Sequence, residues 1–338
     1  MSSKKIIFRA DGNSKTGLGH LYRLFSLVAI VKDQIDFVFV TKEDSTTNVI
    51  PEHFNKLTIP NSVSIQEEPE WLQANFSPLN YVIIADGYQF TSSYQKHIKQ
   101  RGYSLIYIDD LAQEHMYADV IINHSPYIQE KHYGKETYTQ LALGTKFALL
   151  RPLFLKEAKK NKTIESVDHA FVCFGGADPF NLTIKAVEAL LKFSNFKKIQ
   201  VVLGGAYKHE DIFNLEKEHS NIIKTYRNLT EKLLLKTMKQ CNFAIAPAST
   251  ILYELSCVKM PILSGFYVDN QELIYRGFLN SEAIFKGENM KDYSIFDFEY
   301  KIKTILIEQK FSSQINAQKA LFDADIAKRH LKIIRDLC

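Results

Sequence analysis

A chain of 338 residues corresponds to about two domains at roughly 150 residues each, both large enough to bury a core without disulfide or metal staples. Hydrophobic residues make up 46% and charged residues 24%, the balance of a globular chain, which excludes a disordered, collagenous or coiled-coil protein. Lys plus Arg number 42 against 38 for Asp plus Glu, a net charge of only +4 with no basic stripe, so no nucleic-acid partner is expected.

The amino terminus, MSSKKIIFRADG, has too short an apolar run for a signal peptide, and no stretch approaches the roughly 18 apolar residues of a membrane span. The expected location is the cytoplasm, with no membrane partner. The four cysteines (Cys173, Cys241, Cys257, Cys338) lack CxxC spacing, which argues against a disulfide framework or a zinc knuckle.

In chain order, Lys5–Arg9 reads as a short strand, followed by a loop over Asp11–Gly19 and an apolar-periodic helix over His20–Val31. Phe37–Thr41, Tyr81–Ala85, Ser104–Ile108 and Val120–Ile122 read as further strands, two of them running into acidic residues, Asp86 and Asp109. Continuous apolar runs of about five residues suit parallel strands buried on both faces, and their alternation with helices implies right-handed crossovers in a doubly wound sheet. After Arg151-Pro152 a Lys-rich stretch, KEAKKNKTIESVD, reads as a linker, and the pattern restarts. Strand Ala170–Phe174 leads through Gly175-Gly176-Ala177-Asp178-Pro179 into a helix over Leu182–Phe193. Strands Ile199–Leu203, Phe243–Ala246 and Pro261–Ser264 follow, and Phe311–Leu337 is helical and glycine-free. The expected domains are residues 1–152, residues 165–312, and a terminal helix over 313–338 that closes the second domain or crosses back to the first. Two such domains would face a central cleft at the carboxyl ends of their sheets, where open α/β folds bind ligands.

Gly17-Leu18-Gly19-His20 joins the first strand to the first helix. Glycines there admit close backbone approach, and a helix start offers unpaired N–H groups to an anion. The third glycine of a dinucleotide fingerprint is replaced by His20-Leu21-Tyr22, which argues against NAD. At the positive end of a helix dipole His20 favours its neutral form and can act as a general base; equally, it can simply cap its helix. Gly175 and Gly176 either contact phosphate through their amides or form a plain tight turn. Ser249 and Thr250 sit where a helix begins and can aim hydroxyls and amides at a diphosphate; Glu254, one turn on, can accept ribose hydroxyls or remain a solvated glutamate. Asn270 and Gln271 open the next helix and can bind phosphate or sugar hydroxyls, the alternative being plain capping by Asp269. Asp86-Gly87-Tyr88 and Asp109-Asp110 follow strands and read as hydrogen-bonding anchors rather than metal ligands. No metal and no cofactor are expected.

Taken in order, FRADGNSKTGLGHLYR, DGY, IDDLA, ALLRPLF, CFGGADPFNLT, STILYE and VDNQ resemble the UDP-sugar hydrolases of the pseudaminic acid pathway, the SpsG-like group, over about residues 5 to 290. That family is similar to GT-B glycosyltransferases. The resemblance implies an α/β, GT-B-like fold of two Rossmann-like domains, a small-molecule UDP-sugar partner, and metal-independent release of UDP from UDP-2,4-diacetamido-2,4,6-trideoxy-β-L-altropyranose with inversion. It places the catalytic histidine at His20, the ribose-binding glutamate at Glu254, the phosphate- and sugar-contacting pair at Asn270 and Gln271, and the tyrosine of the DxY motif at Tyr88. Asp11 joins Tyr88 as a candidate to position sugar or water. Many relatives carry glycines where this chain has Ala246-Pro247-Ala248, which would restrict approach of the diphosphate. A GT-B glycosyltransferase and a non-catalytic UDP-sugar-binding protein are the competing readings.

Overall fold

A computed structural model of the chain describes residues 4–13, 17–323 and 325–338. Residues 14–16 of the loop expected over Asp11–Gly19 lie outside them. The chain divides into two compact units, Met1–Pro152 with Asp325–Cys338, and Leu153–Ala324.

The first unit contains strands β1 (Lys5–Ala10), β2 (Phe37–Lys42), β3 (Lys56–Ile59), β4 (Tyr81–Asp86), β5 (Ser104–Ile108), β6 (Val120–Asn123) and β7 (Gln140–Leu143). Helices α1 (Gly19–Val31), α2 (Glu68–Asn75) and α3 (Ser92–Gln100) connect them. All described strand pairs are parallel, in the order β3-β2-β1-β4-β5-β6-β7. Alternation along β1 explains its unbroken apolar run. Ile6 and Phe8 enter one core with Leu21, Leu24, Leu27 and Val28 of α1, whereas Ile7 enters the opposite core with Ile83, Tyr94 and Ile98. Each face of the strand thus has its own helix layer to satisfy.

The second unit opens with α4 (Pro152–Ala158) and holds β8 (His169–Val172), β9 (Lys198–Leu203), β10 (Ile223–Arg227), β11 (Phe243–Pro247), β12 (Ile262–Phe266) and β13 (Phe285–Asn289). Its helices are α5 (Leu182–Leu191), α6 (Asp211–Glu218), α7 (Glu231–Lys239), α8 (Thr250–Val258), α9 (Glu272–Asn280), α10 (Ile295–Glu308) and α11 (Phe311–Leu321). The sheet order β10-β9-β8-β11-β12-β13 repeats the central pattern of the first unit. The chain is therefore an α/β protein with two doubly wound parallel sheets.

Two sequence expectations need correction. The Lys-rich stretch read as a linker begins inside α4, and its Ile164 and Val167 are buried, so it is built into the second unit. The terminal helix over Phe311–Leu337 is two helices, α11 and α12 (Ile326–Arg335), interrupted after Leu321. Only α12 belongs to the first unit, where Ile334 joins the core beneath α1. Cys173, Cys241 and Cys257 are buried free thiols.

Candidate functional site

In the first unit the chain leaves β1 toward β2 and β3, then crosses to β4 on the other side. The carboxyl ends of β1 and β4 therefore flank a topological switch point, the place where such sheets present ligands to side chains. Register sets Ala10 opposite Asp86 there. Gly17 has φ of +77°, a left-handed turn that a side chain would strain, and it delivers the chain into α1 with His20 as the second helical residue.

His20 is only 7% exposed. Among the described residues, its two contacts at hydrogen-bonding distance are made at Nδ1, 2.7 Å from Asp86 Oδ1 and 2.8 Å from Arg23 Nη2. With Nδ1–H donating to the Asp86 carboxylate, the Nε2 lone pair is left to take a proton, the arrangement of a base oriented by an acid. Arg23 grips Asp86 twice, Nε to Oδ2 at 2.9 Å and Nη2 to Oδ1 at 2.6 Å, and its Nη1 donates to Asp110 Oδ1. Tyr88 donates to Asp110 Oδ2 at 3.1 Å and sets its ring edge-on to the His20 ring at 4.8 Å. Burial alone would raise the Asp110 carboxyl, but the Arg23 guanidinium outweighs it and holds the group below the usual carboxylate range. Burial pushes the neighbouring His124 imidazole down to about 4.

Asp11 lies close by with a different occupation. One of its oxygens accepts from Arg9 Nη1 at 2.6 Å, Thr41 Oγ1 at 3.0 Å and Lys42 N at 2.7 Å; the other accepts from Arg9 Nη2 at 2.8 Å and Gln89 Nε2 at 3.0 Å. Five donors fill a carboxylate's capacity, so the geometry makes Asp11 an anchor for the ends of β1 and β2. Arg9 itself is fully buried and is shared with Glu68 at 2.7 and 2.8 Å.

In the second unit the two candidate helix starts differ. At α5 the buried Asp178 accepts from the amides of Leu182 at 2.9 Å and Thr183 at 2.8 Å, so the protein's own carboxylate already serves that helix start. Gly175 (φ +78°) and Gly176 form the turn before it. At α8 the N-cap position is Ser249, half-buried in extended conformation, and it makes no side-chain capping bond. The Leu252 amide turns back onto Ser249 O at 2.9 Å, but no side-chain carboxylate or hydroxyl caps this helix, so its start lacks the built-in acid that serves α5 and keeps the positive end of its dipole for an anion. Glu254, on the second turn of α8, is only 4% exposed, which rules out a solvated surface glutamate.

Asn270 and Gln271 part company. Asn270 is exposed, whereas Gln271 is buried and its Oε1 accepts from Tyr267 N at 3.1 Å. Tyr267 Oη in turn donates to Phe174 O at 2.8 Å, tying the loop after β12 to the one carrying Gly175. Asp269 does not cap: neither the short 3-10 turn it begins nor α9 has a side-chain cap bond. Ala246, Pro247 and Ala248 are buried. Pro247 still registers with Gly265 of β12, but pairing with β8 ends at Ile245, so a missing N–H is tolerated.

Sequence reasoning missed Arg23 and gave Asp86 only an anchoring role. Arg23 stands three residues after His20 and so shares its helix face, a spacing legible in the sequence. The meeting of His20 with Asp86 depends on strand order and carries no local signal.

No family model matches the chain. It is 28% identical over 282 residues to the UDP-2,4-diacetamido-2,4,6-trideoxy-beta-L-altropyranose hydrolase of Campylobacter jejuni, covering 79% of this chain and 93% of that protein. It is 24% identical over 279 residues to the spore coat polysaccharide biosynthesis protein SpsG of Bacillus subtilis, covering 81% and 80%. An uncharacterised protein of Methanocaldococcus jannaschii is 26% identical over 313 residues; the match takes in 88% of this chain and 62% of the archaeal protein's length. Among solved structures, Acinetobacter baumannii MurG superposes with a TM-score of 0.67 at 11% identity, covering 98% of this chain and 99% of that one. An S. aureus MnaA–UDP structure gives 0.64 at 11% identity, covering 99% and 98%. Together with the two sheet orders, these likenesses establish the architecture: two parallel-sheet α/β units similar to those of GT-B glycosyltransferases.

Proposed function

We propose that the chain hydrolyses a UDP-linked 2,4-diacetamido-2,4,6-trideoxyhexose, the β-L-altropyranose form first among them, on the way to a nonulosonic (pseudaminic) acid for a surface polysaccharide. The observation that carries the reading is the 2.7 Å pairing of His20 with Asp86 at the switch point of the first sheet, which leaves Nε2 as the base. The similarity to the Campylobacter hydrolase over 79% of the chain supports the choice of substrate.

In this mechanism His20 Nε2 takes a proton from water, and the water oxygen attacks the anomeric carbon from the face opposite UDP. The C–O bond to the diphosphate breaks with its electron pair leaving on the diphosphate, giving inversion and an oxocarbenium-like transition state. Diphosphate is a good leaving group once its charge is met, the task assigned to the α8 amides around Ser249 and Thr250. Glu254 takes the ribose and Asn270 a phosphate or sugar oxygen; Gln271 shapes the loop that presents it. Tyr88, 44% exposed beside the His20 ring, positions sugar or water. The reading thus gives activation of water to the first unit and the hold on the nucleotide to the second.

Proton NMR of the purified protein with the UDP-sugar alone is the test: free UDP and an inverted first-formed anomer are expected. His20→Asn should lower turnover by about 10²–10⁴ while calorimetric UDP affinity persists. UDP release that waits for a sugar acceptor would identify a glycosyltransferase instead, and tight UDP binding without any turnover a nucleotide-sugar-binding protein.

A further inference from the structure

The contacts around His20 contain a conflict that a donor–acceptor count exposes. His20 Nδ1, Asp86 Oδ1 and Arg23 Nη2 form a triangle with sides of 2.7, 2.6 and 2.8 Å. Asp86 Oδ1 can accept from both nitrogens. The side between Nη2 and Nδ1 is a hydrogen bond only when Nδ1 has no proton, whereas the side between Nδ1 and Oδ1 needs that proton. The ring cannot satisfy both. With Nη2 donating to the carboxylate, the bond from Nδ1–H to Asp86 is the charge-assisted choice, and Nε2 keeps its lone pair.

Charge raises a second question. Asp86 and Asp110 are two carboxylates near one imidazole, the first fully buried and the second with its side chain 10% exposed. Arg23 spans them, gripping Asp86 through two nitrogens and Asp110 through a third. Among the described residues, the other groups facing this cluster are Tyr88, which donates to Asp110, His124, which burial keeps uncharged down to about 4, and Tyr107, Tyr133 and Asp109 beside them, the Asp109 carboxylate being held by Tyr133 Oη at 2.6 Å. Among the described residues of the network, Arg23 is thus the one permanent cation. Without it two uncompensated carboxylates would favour a doubly protonated ring, and a ring that already holds both protons cannot take one from water.

We propose that Arg23 is a positioning residue of the reaction: its fork and its charge together keep His20 protonated at Nδ1 and open at Nε2. The kinetic part of this proposal rests on the hydrolase reading given above; the part concerning the ring does not. Arg23 touches no reacting atom and acts only through His20 and its two carboxylates. In the catalytic step the proton moves from water to Nε2, the imidazolium is tolerated because Asp86 remains ionised, and the proton then passes to solvent because Arg23 offsets part of the negative charge.

The test is long-range ¹H–¹⁵N NMR of the whole protein labelled at histidine, near neutral pH and without ligand, paired with UDP-release kinetics. The wild-type His20 ring should show the Nδ1–H form. Arg23→Gln should show a doubly protonated ring at the same pH, a kcat lower by about 100-fold with KM nearly unchanged, and an activity profile whose acid limb lies at higher pH. Arg23→Gln combined with Asp110→Asn removes one negative charge along with the positive one; it should restore the single-proton ring and recover at least about tenfold of the lost kcat. Arg23→Lys, which keeps charge but loses the fork, should keep the ring singly protonated with its proton divided between the two nitrogens. A mere packing role predicts that the double variant is worse than either single one, and that result would overturn the proposal. So would an Nε2–H ring in the wild type, or an unchanged ring in Arg23→Gln. Should Arg23→Gln fail to fold, the wild-type, lysine and double variants still decide. A ring that behaves as described in a protein that hydrolyses no UDP-sugar supports the clamp and overturns the hydrolase reading.

Discussion

Replacing Asp86 by asparagine perturbs the His20 pair with the smallest change of shape. Asp86 is fully buried and accepts from Arg23 Nε at 2.9 Å, Arg23 Nη2 at 2.6 Å and His20 Nδ1 at 2.7 Å. Asparagine keeps one acceptor oxygen and presents an NH₂ to the remaining partners. Turned toward Arg23, the NH₂ meets another donor; turned toward His20, it demands a lone pair at Nδ1 and so places the ring hydrogen on Nε2. Removing one partner of a buried ion pair costs about 3–5 kcal/mol. Asp110 still holds the far end of Arg23, which places the expected loss near the lower limit, about 3 kcal/mol in urea melts. Losing the base separately lowers turnover by about 10²–10⁴, roughly 3–5 kcal/mol in the barrier. Calorimetry should find UDP affinity unchanged, because the nucleotide is assigned to the second unit. Turnover within about threefold of wild type in a folded Asp86→Asn protein would refute the orientation of His20 by this carboxylate.

Three further outcomes follow from the packing. Glu68→Gln removes the charge facing the fully buried Arg9 and leaves one acceptor oxygen, shared with Tyr94 Oη at 2.7 Å, while its NH₂ meets the remaining Arg9 donor, so a loss of about 3 kcal/mol is expected; an unshifted urea midpoint would contradict it. Gly204→Ala would put a methyl 2.3 Å from Gly176 O and 2.4 Å from Gly175 O, both backbone atoms, and should destabilise the second unit by about 1–3 kcal/mol; a neutral result in thermal unfolding would show that the loop yields freely. The third concerns acid. Burial holds both His124 and His330 down to about 4, against an ordinary 6.5. An unfolded chain binds protons on these rings below about 6.5 while the folded chain resists, so their contribution is whole above that value and is lost as pH falls toward about 4. It amounts to at most about 3 kcal/mol per ring, and His330→Asn should flatten the decline of the urea midpoint across that window.

The sequence by itself determined the inner strands, the two openings of strand, glycine turn and helix, and His20 at the head of α1. Runs such as KIIFR and YVIIA are legible because a central parallel strand is covered on both faces and can afford almost no polar residue. The strands left unread, β3, β7, β10 and β13, are the outermost of their sheets. An outer strand has polar neighbours on its open side, and β3 shows it: three of its four residues are exposed. Its pattern therefore resembles a loop. Likewise the glycine turns were visible at Gly17 and Gly175, but which of the helix starts is open to an anion was not. That depended on Asp178 folding back onto α5 while Ser249 leaves α8 uncapped. Strand order, finally, is a long-range property: it brings His20 to Asp86, 66 residues away, and then to Asp110 through Arg23. Local propensity describes a residue and its near neighbours, so it could name the histidine. Only the crossover from β1 to β4 could supply the carboxylate that meets its Nδ1.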